Sequence, residues 1–159
     1  MIDKNLLRTL SSGLILGLLF PMLSCSNDGL YMQSVDGKWA KDTPLSFSFE
    51  VKDTKVPKNI IFVVRNNNDY PYSNIRVFSS VSEEGAKNVA VDTLNYIMAK
   101  PNGEWLGAGF GDTKEIKFLY KSQYKFPKNG KYIISIKQAM RNDNLPGIED
   151  FGIEISSAE

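Results

Sequence analysis

The sequence predicts an all-β domain, an antiparallel β-sandwich of the jelly-roll kind with seven or eight strands. Three observations predict it. Short runs of alternating or β-branched residues recur from Leu45 to Ile155. Each run is bounded by Gly, Pro, Asn or Asp, residues that turn a chain by fixing or freeing its backbone angles. The one stretch in this region with helical spacing, Asp92–Lys100, reads equally well as a strand.

Leu45–Val51 alternates cleanly, with Leu45, Phe47, Phe49 and Val51 on one face, so it is a half-buried strand. Ile60–Val64 is a β-branched and aromatic run, expected to be buried on both faces. Asn66–Asn74 is a turn segment, because Asn and Asp bond to their own backbone and Pro71 fixes φ. Ile75–Val81 is the next strand. Pro101-Asn-Gly103 followed by Glu104-Trp105-Leu106 makes a hairpin out of the ambiguous stretch before it. Ile116–Tyr120, Lys131–Gln138 and Phe151–Ser156 complete the set, with turns at Lys128-Asn129-Gly130 and around Pro146.

Ahead of the domain stands a leader. Lys4 and Arg8 give it a basic start, Leu14 to Phe20 an apolar middle, and Pro21 a helix stop. The apolar run is about half of the ~20 residues a membrane-spanning helix needs. Met22, Leu23 and Ser24 then precede Cys25, the chain's only cysteine. That junction is where a bacterial lipoprotein signal peptide is cut, leaving a Cys acylated with palmitate-type chains. Residues 1–24 are therefore expected to be a lipoprotein signal peptide, residues 25–38 a lipid-anchored tether, and residues 39–159 the β-sandwich. Several acyl chains on Cys25 would anchor firmly, since each buried methylene contributes about 0.8 kcal/mol. No Asp follows Cys25 directly, which favours the outer membrane over inner-membrane retention.

Composition narrows the function. The chain has 19 basic and 18 acidic residues; removing Lys4, Arg8 and Asp3 with the leader leaves 17 of each. A nucleic-acid binder should carry a basic excess, so nucleic acid is not an expected partner. There is no histidine, which removes His-based triads and His metal sites. With Cys25 acylated no thiol remains for catalysis or a disulfide, so the hydrophobic core must hold the domain together. No cofactor, metal or catalytic residue is expected.

Local motifs offer little else. Gly107-Ala-Gly-Phe-Gly111 runs into a strand rather than a helix, so it reads as close backbone packing and not as a phosphate loop. Asp69, Asp92, Glu104 and Asp112 lack the spacing of a calcium loop. Trp39, Tyr70, Tyr72 and Trp105 are expected mainly as packing, with Tyr70, Tyr72 and Trp105 as candidate partner-binding aromatics. The rival reading is a glycan-stacking platform on a surface glycan-binding module. Asp92-Thr93-Leu94 fits a short Asp-Ser/Thr-aliphatic pattern resembling the O-glycosylation sites of some exported bacterial proteins, which makes Thr93 a candidate acceptor.

The motifs also carry a resemblance in their order. Arg65-Asn66, Asp69-Tyr-Pro-Tyr72 and Asn74 are followed by Asp92-Thr93 and Asn102-Gly-Glu-Trp-Leu-Gly107. Then come Phe126-Pro127, Gln138-Ala-Met-Arg141, Leu145 and Gly147-Ile148. This series, from about Trp39 to Ile155, resembles the GldH gliding-motility lipoprotein family of Bacteroidetes. The resemblance implies an outer-membrane lipoprotein of the gliding machinery, which in these bacteria is associated with type IX secretion of surface adhesins. It implies no catalytic residues. It implies as partners the membrane lipid, through Cys25, and other gliding or secretion proteins.

Overall fold

A computed structural model describes residues 28–158; the leader and Cys25 lie outside the described residues. Among the described residues ten strands follow one another: β1 (Gly29–Ser34), β2 (Lys38–Ala40), β3 (Leu45–Val51), β4 (Lys58–Asn66), β5 (Asn74–Glu83), β6 (Asp92–Ile97), β7 (Lys114–Tyr124), β8 (Gly130–Gln138), β9 (Asn144–Pro146) and β10 (Ile148–Ser157). Two four-stranded sheets form, β1-β10-β4-β7 and β3-β8-β5-β6, with β2 and β9 paired between them. The antiparallel pairings are nested: β1 with β10, β2 with β9, β3 with β8, β4 with β7, β5 with β6. That is one long hairpin wound across two sheets, the jelly-roll path.

The alternation of β3 decides its orientation. Leu45, Phe47, Phe49 and Val51 are buried while Ser46, Ser48 and Glu50 face water. Ile60, Phe62 and Val64 of β4 answer them from the other sheet, joined by Ile153 and Ile155 of β10. β4 is covered on its second face too, where Val63 is fully buried. Gly152 sits beside it in the ladder and leaves room for Met32, whose Sδ would lie 2.1 Å from a Cβ added there.

Both open sides of the sandwich are closed by side chains. On one, Tyr31 meets Phe49 with ring centroids 6.4 Å apart, and Gln33 Nε2 donates to the Ser46 carbonyl at 2.8 Å. On the other, Tyr96 of β6 stacks on Phe118 of β7 at 4.5 Å. There Asp92 accepts hydrogen bonds from the Tyr120 hydroxyl and the Lys121 ammonium, each at 2.7 Å.

Part of the stretch expected as tether, Gly29–Ser34, is instead edge strand β1, hydrogen-bonded along β10. The strand count rises to ten for this reason and because β2 and β9, of three residues each, are too short to show a period. The chain enters the sandwich at one end, here called proximal. Asp28 is fixed there by Lys58 at 2.8 Å and by the Ser157 hydroxyl. The opposite, distal end carries the 67–73, 98–113 and 139–147 connections, since Asn66 pairs with Ile148 and Lys114, and Asn74 with Ile97.

A candidate binding site at the distal end

The residue types that form turns are concentrated in the distal connections, and their hydrogen bonds fasten the loops to one another. Asn67 N–H donates to the Gly147 carbonyl at 2.9 Å, and Gly147 N–H to the Gly37 carbonyl at 2.9 Å. Asn67 Nδ2 and the Thr113 hydroxyl both donate to the Glu149 carboxylate, at 3.2 and 2.7 Å. Asn68 accepts from Trp105 Nε1 at 3.3 Å and donates to Asp112 at 3.1 Å. Loops far apart in sequence thus make one surface.

Tyr70, Tyr72 and Trp105 come together on it. The Tyr70 ring lies 5.8 Å from Tyr72 and 6.2 Å from Trp105. The contacts are edge-on and tilted, at 76° and 45°, so the rings pack into a cluster rather than an open row. Tyr70 is buried, and its hydroxyl donates to the Asn74 carbonyl at 2.7 Å. Burial, with the Tyr72 phenol beside it, pushes the Tyr70 hydroxyl far above its ordinary value, so it stays neutral. Trp39 does not join them. It is fully buried in the core against Phe151, and its Nε1 donates to the Thr43 carbonyl.

A cleft of about 420 Å³ runs between the Tyr70–Ser73 segment and the Ala99–Trp105 hairpin. The expected hairpin is present: Ala99 bridges Trp105, Lys100 and Glu104 are backbone-bonded at 2.8 Å, and Gly103 takes φ 87°. Past it, Ala108 exchanges two backbone hydrogen bonds with Glu115. A Cβ at Gly107 or Gly109 would fall 2.7 or 2.2 Å from the carbonyls of Glu115 and Thr113. These glycines serve close backbone packing, as the sequence implies. Between them and Gly111 the Phe110 side chain stands wholly in solvent, with Leu106 half-exposed nearby in the chain.

On the other side of Tyr72 lies a second cleft of about 320 Å³, lined by Tyr72, Asn74, Arg76, Ala139, Met140 and Arg141. The turn that forms one side of it is held by Gln138, which is fully buried. Gln138 Nε2 donates to the Asn142 carbonyl at 2.7 Å, and its Oε1 accepts from Met140 N–H at 2.9 Å. Tyr72 closes the loop from above by donating to Asn142 Oδ1 at 2.5 Å. The sequence signal for Gln138 is a polar residue at an inward position, continuing the Tyr132, Ile134, Ile136 series. Arg76, Arg141 and Phe110 have no comparable signal, because exposed residues break no pattern.

The carboxylates weighed as metal or acid–base candidates are dispersed. Glu104 pairs with Lys100, Asp112 with Asn68, and Asp92 lies on the β6–β7 seam. Among the described residues no group of three or more metal-ligating side chains converges. Thr93 is exposed on β6, between half-buried Asp92 and Leu94. Cys25, the candidate lipidation site, lies outside the described residues.

Comparison with known proteins adds a family to this geometry. The GldH lipoprotein family model matches residues 31–155. A gliding motility lipoprotein GldH homolog of Christiangramia forsetii is 42% identical over 129 residues, covering 77% of this chain and 79% of its own. The gliding motility lipoprotein GldH of Flavobacterium johnsoniae is 36% identical over 146 residues, 90% of each chain. Among solved structures, a family 11 carbohydrate-binding module from Clostridium thermocellum in complex with a mixed-linked tetrasaccharide is 10% identical and covers 84% of each chain. Its TM-score is 0.31, a likeness that carries no argument. The family match spans the sandwich from β1 to β10, and the chain belongs to the GldH family of gliding-motility lipoproteins.

Proposed function

We propose that the protein is a non-catalytic accessory component of the gliding and type IX secretion apparatus. In this reading acyl chains on Cys25 hold it at the outer membrane, and its distal loops dock other apparatus proteins. One observation carries the reading: separate loops bring Tyr72, Trp105, Leu106 and Phe110 to the end of the sandwich opposite the one where the chain enters. Exposed large apolar side chains beside half-buried aromatic rings are what protein interfaces use as anchors. A fully exposed Phe is otherwise a solubility cost. The distal acids Glu104, Asp112 and Glu149 are engaged by neighbouring amides, a hydroxyl and an ammonium, which suits a recognition surface held in shape.

A photo-crosslinking amino acid tests this in the acylated protein within intact outer membranes. At Phe110 or Leu106 it is expected to give discrete adducts with other membrane-apparatus proteins; at Lys55 or Lys87, on proximal loops, it is not. Adducts confined to the proximal positions would remove the docking surface from the distal end. Specific glycan binding that disappears in Trp105→Ala, with the fold intact, would favour the surface glycan-binding module instead.

A further inference from the structure

Arg65, Arg76 and Arg141 are the arginines of the chain after Cys25. Arg65 is held between Glu115 and Asp150 on β4, at 2.9 and 3.6 Å. Arg76 and Arg141 line the same distal cleft, and among the described residues neither has an acidic partner within ion-pair distance. No carboxylate lines that cleft either. Among the described residues, eight of the fourteen lysines after Cys25 stand in ion pairs, and so does Arg65. Arg76 and Arg141 differ from the remaining unpaired cations in lining one cleft together, which concentrates positive charge there in a chain whose charges after Cys25 sum to zero.

The cleft is built to stay in shape. Gln138 clamps the Met140–Asn142 turn from inside, and Tyr72 pins it at Asn142. Arg76 is oriented through its Nε, which reaches Asn95 Oδ1 at 3.4 Å, leaving its terminal nitrogens for a ligand. A guanidinium presents paired N–H donors that match the two oxygens of a carboxylate. The Tyr72 ring and Met140 thioether give the same cleft apolar walls, suited to the methylenes of a Glu side chain.

We propose that this cleft binds the carboxylates of an acidic peptide segment. The inference rests on the docking role of the distal end and names the chemistry of what docks beside the aromatic cluster. The two guanidinium groups supply charge-assisted bonds, and Tyr72 lines both this cleft and the one beside Trp105.

The test uses the full acylated chain in nanodiscs with methyl-labelled methionine, followed by NMR. Met140 reports the cleft, and Met32, on the outer face of the other sheet, is the control. The probes are a capped tetraglutamate peptide, its tetraglutamine counterpart and inorganic phosphate. The Met140 signal is expected to move and saturate with tetraglutamate, and to stay fixed with tetraglutamine while Met32 stays fixed throughout. The double change Arg76→Gln with Arg141→Gln, at exposed side chains the fold does not need, should weaken binding about tenfold or more, the loss expected from one charged hydrogen bond. An equal response to tetraglutamine, or none to tetraglutamate, overturns the site. A phosphate response as strong as the peptide's overturns the peptide assignment in favour of a free oxyanion. Distal crosslinks that persist while tetraglutamate fails to bind leave the docking end standing and remove only its acidic ligand.

Discussion

Gly147 shows how much of the distal surface hangs on single atoms. Its φ of 76° is a left-handed value that L residues avoid, and a Cβ there would sit 2.2 Å from Tyr70 N and 2.5 Å from Tyr70 Cα. The neighbour is backbone, so it cannot swing aside. Gly147 also takes and gives the hydrogen bonds that join the Gly37 and Asn67 loops. Gly147→Ala adds a left-handed penalty of about 1–2 kcal/mol to an overpacking cost of about 1–3 kcal/mol. The expected outcome is a lower urea midpoint with an unchanged slope, accompanied by altered Trp105 fluorescence, because Tyr70 is the partner of Trp105 in the cluster. A variant as stable as the parent would mean that the loop crossing is not packed this tightly. Gln138 acts at the same scale in the other direction: one fully buried amide bonds two backbone groups of the following turn, which is why an inward strand position tolerates a polar residue there.

At the scale of elements, β6 and β7 make the least regular closure of the sandwich. They belong to different sheets, so no ladder joins them, and side chains carry the seam: Tyr96 on Phe118, with Asp92 between Tyr120 and Lys121. The hydrogen bonds from Lys121 and Tyr120 hold the Asp92 carboxyl below its ordinary value, against a smaller opposing effect of burial. A depressed carboxyl contributes stability that is present above its unfolded pKa of about 3.9 and is lost as pH falls through the lower folded value. Asp92→Asn should therefore be less stable than the parent near neutral pH, by under about 1 kcal/mol for a solvent-screened pair. The gap in melting temperature should close as pH drops below about 4. A gap that persists undiminished at pH 2 would assign the effect to packing rather than charge. The same contrast between ladder and seam explains what was legible in the sequence. Strand β3 shows its alternation because one face is buried and the other exposed, and β8 and β10 because their inward positions are buried and mostly apolar while most intervening ones are polar or only partly covered. Strand β1 hides, because at the sheet edge both of its faces are partly covered and Gly-Leu-Tyr-Met-Gln-Ser shows no period. The aromatic members of the site could be picked out by type. Arg76 and Arg141 could not, since only the folded chain shows that they share a cleft and lack acids.

Over the whole molecule, the early start of β1 leaves Ser26, Asn27 and Asp28 between Cys25 and Gly29. At about 3.5 Å per residue, Gly29 cannot lie more than about 14 Å from Cys25. Asp28 is itself tied down: although burial works against it, the Lys58 ammonium and the Ser157 contacts keep its carboxyl below the ordinary range. In the proposed reading, an acylated Cys25 would thus hold the proximal end at the lipid surface with little slack. The ten residues of β10 span about 34 Å at strand rise, so the distal loops are lifted by roughly that distance from the surface when the sandwich stands upright. Single added cysteines can report this in the proposed acylated protein, where the Cys25 thiol would be blocked. With an acceptor dye on the lipid headgroups, Lys55→Cys in a proximal loop should transfer energy strongly and Leu106→Cys weakly. A ten-residue Gly-Ser insertion after Ser26 should shrink that difference by freeing the domain to tumble. Cys25→Ala should abolish fatty-acid labelling and transfer together while leaving the thermal transition of the sandwich in place. Equal transfer from both dyes in the otherwise unaltered chain would show the domain lying flat, and label retained in Cys25→Ala would put the lipid on another residue.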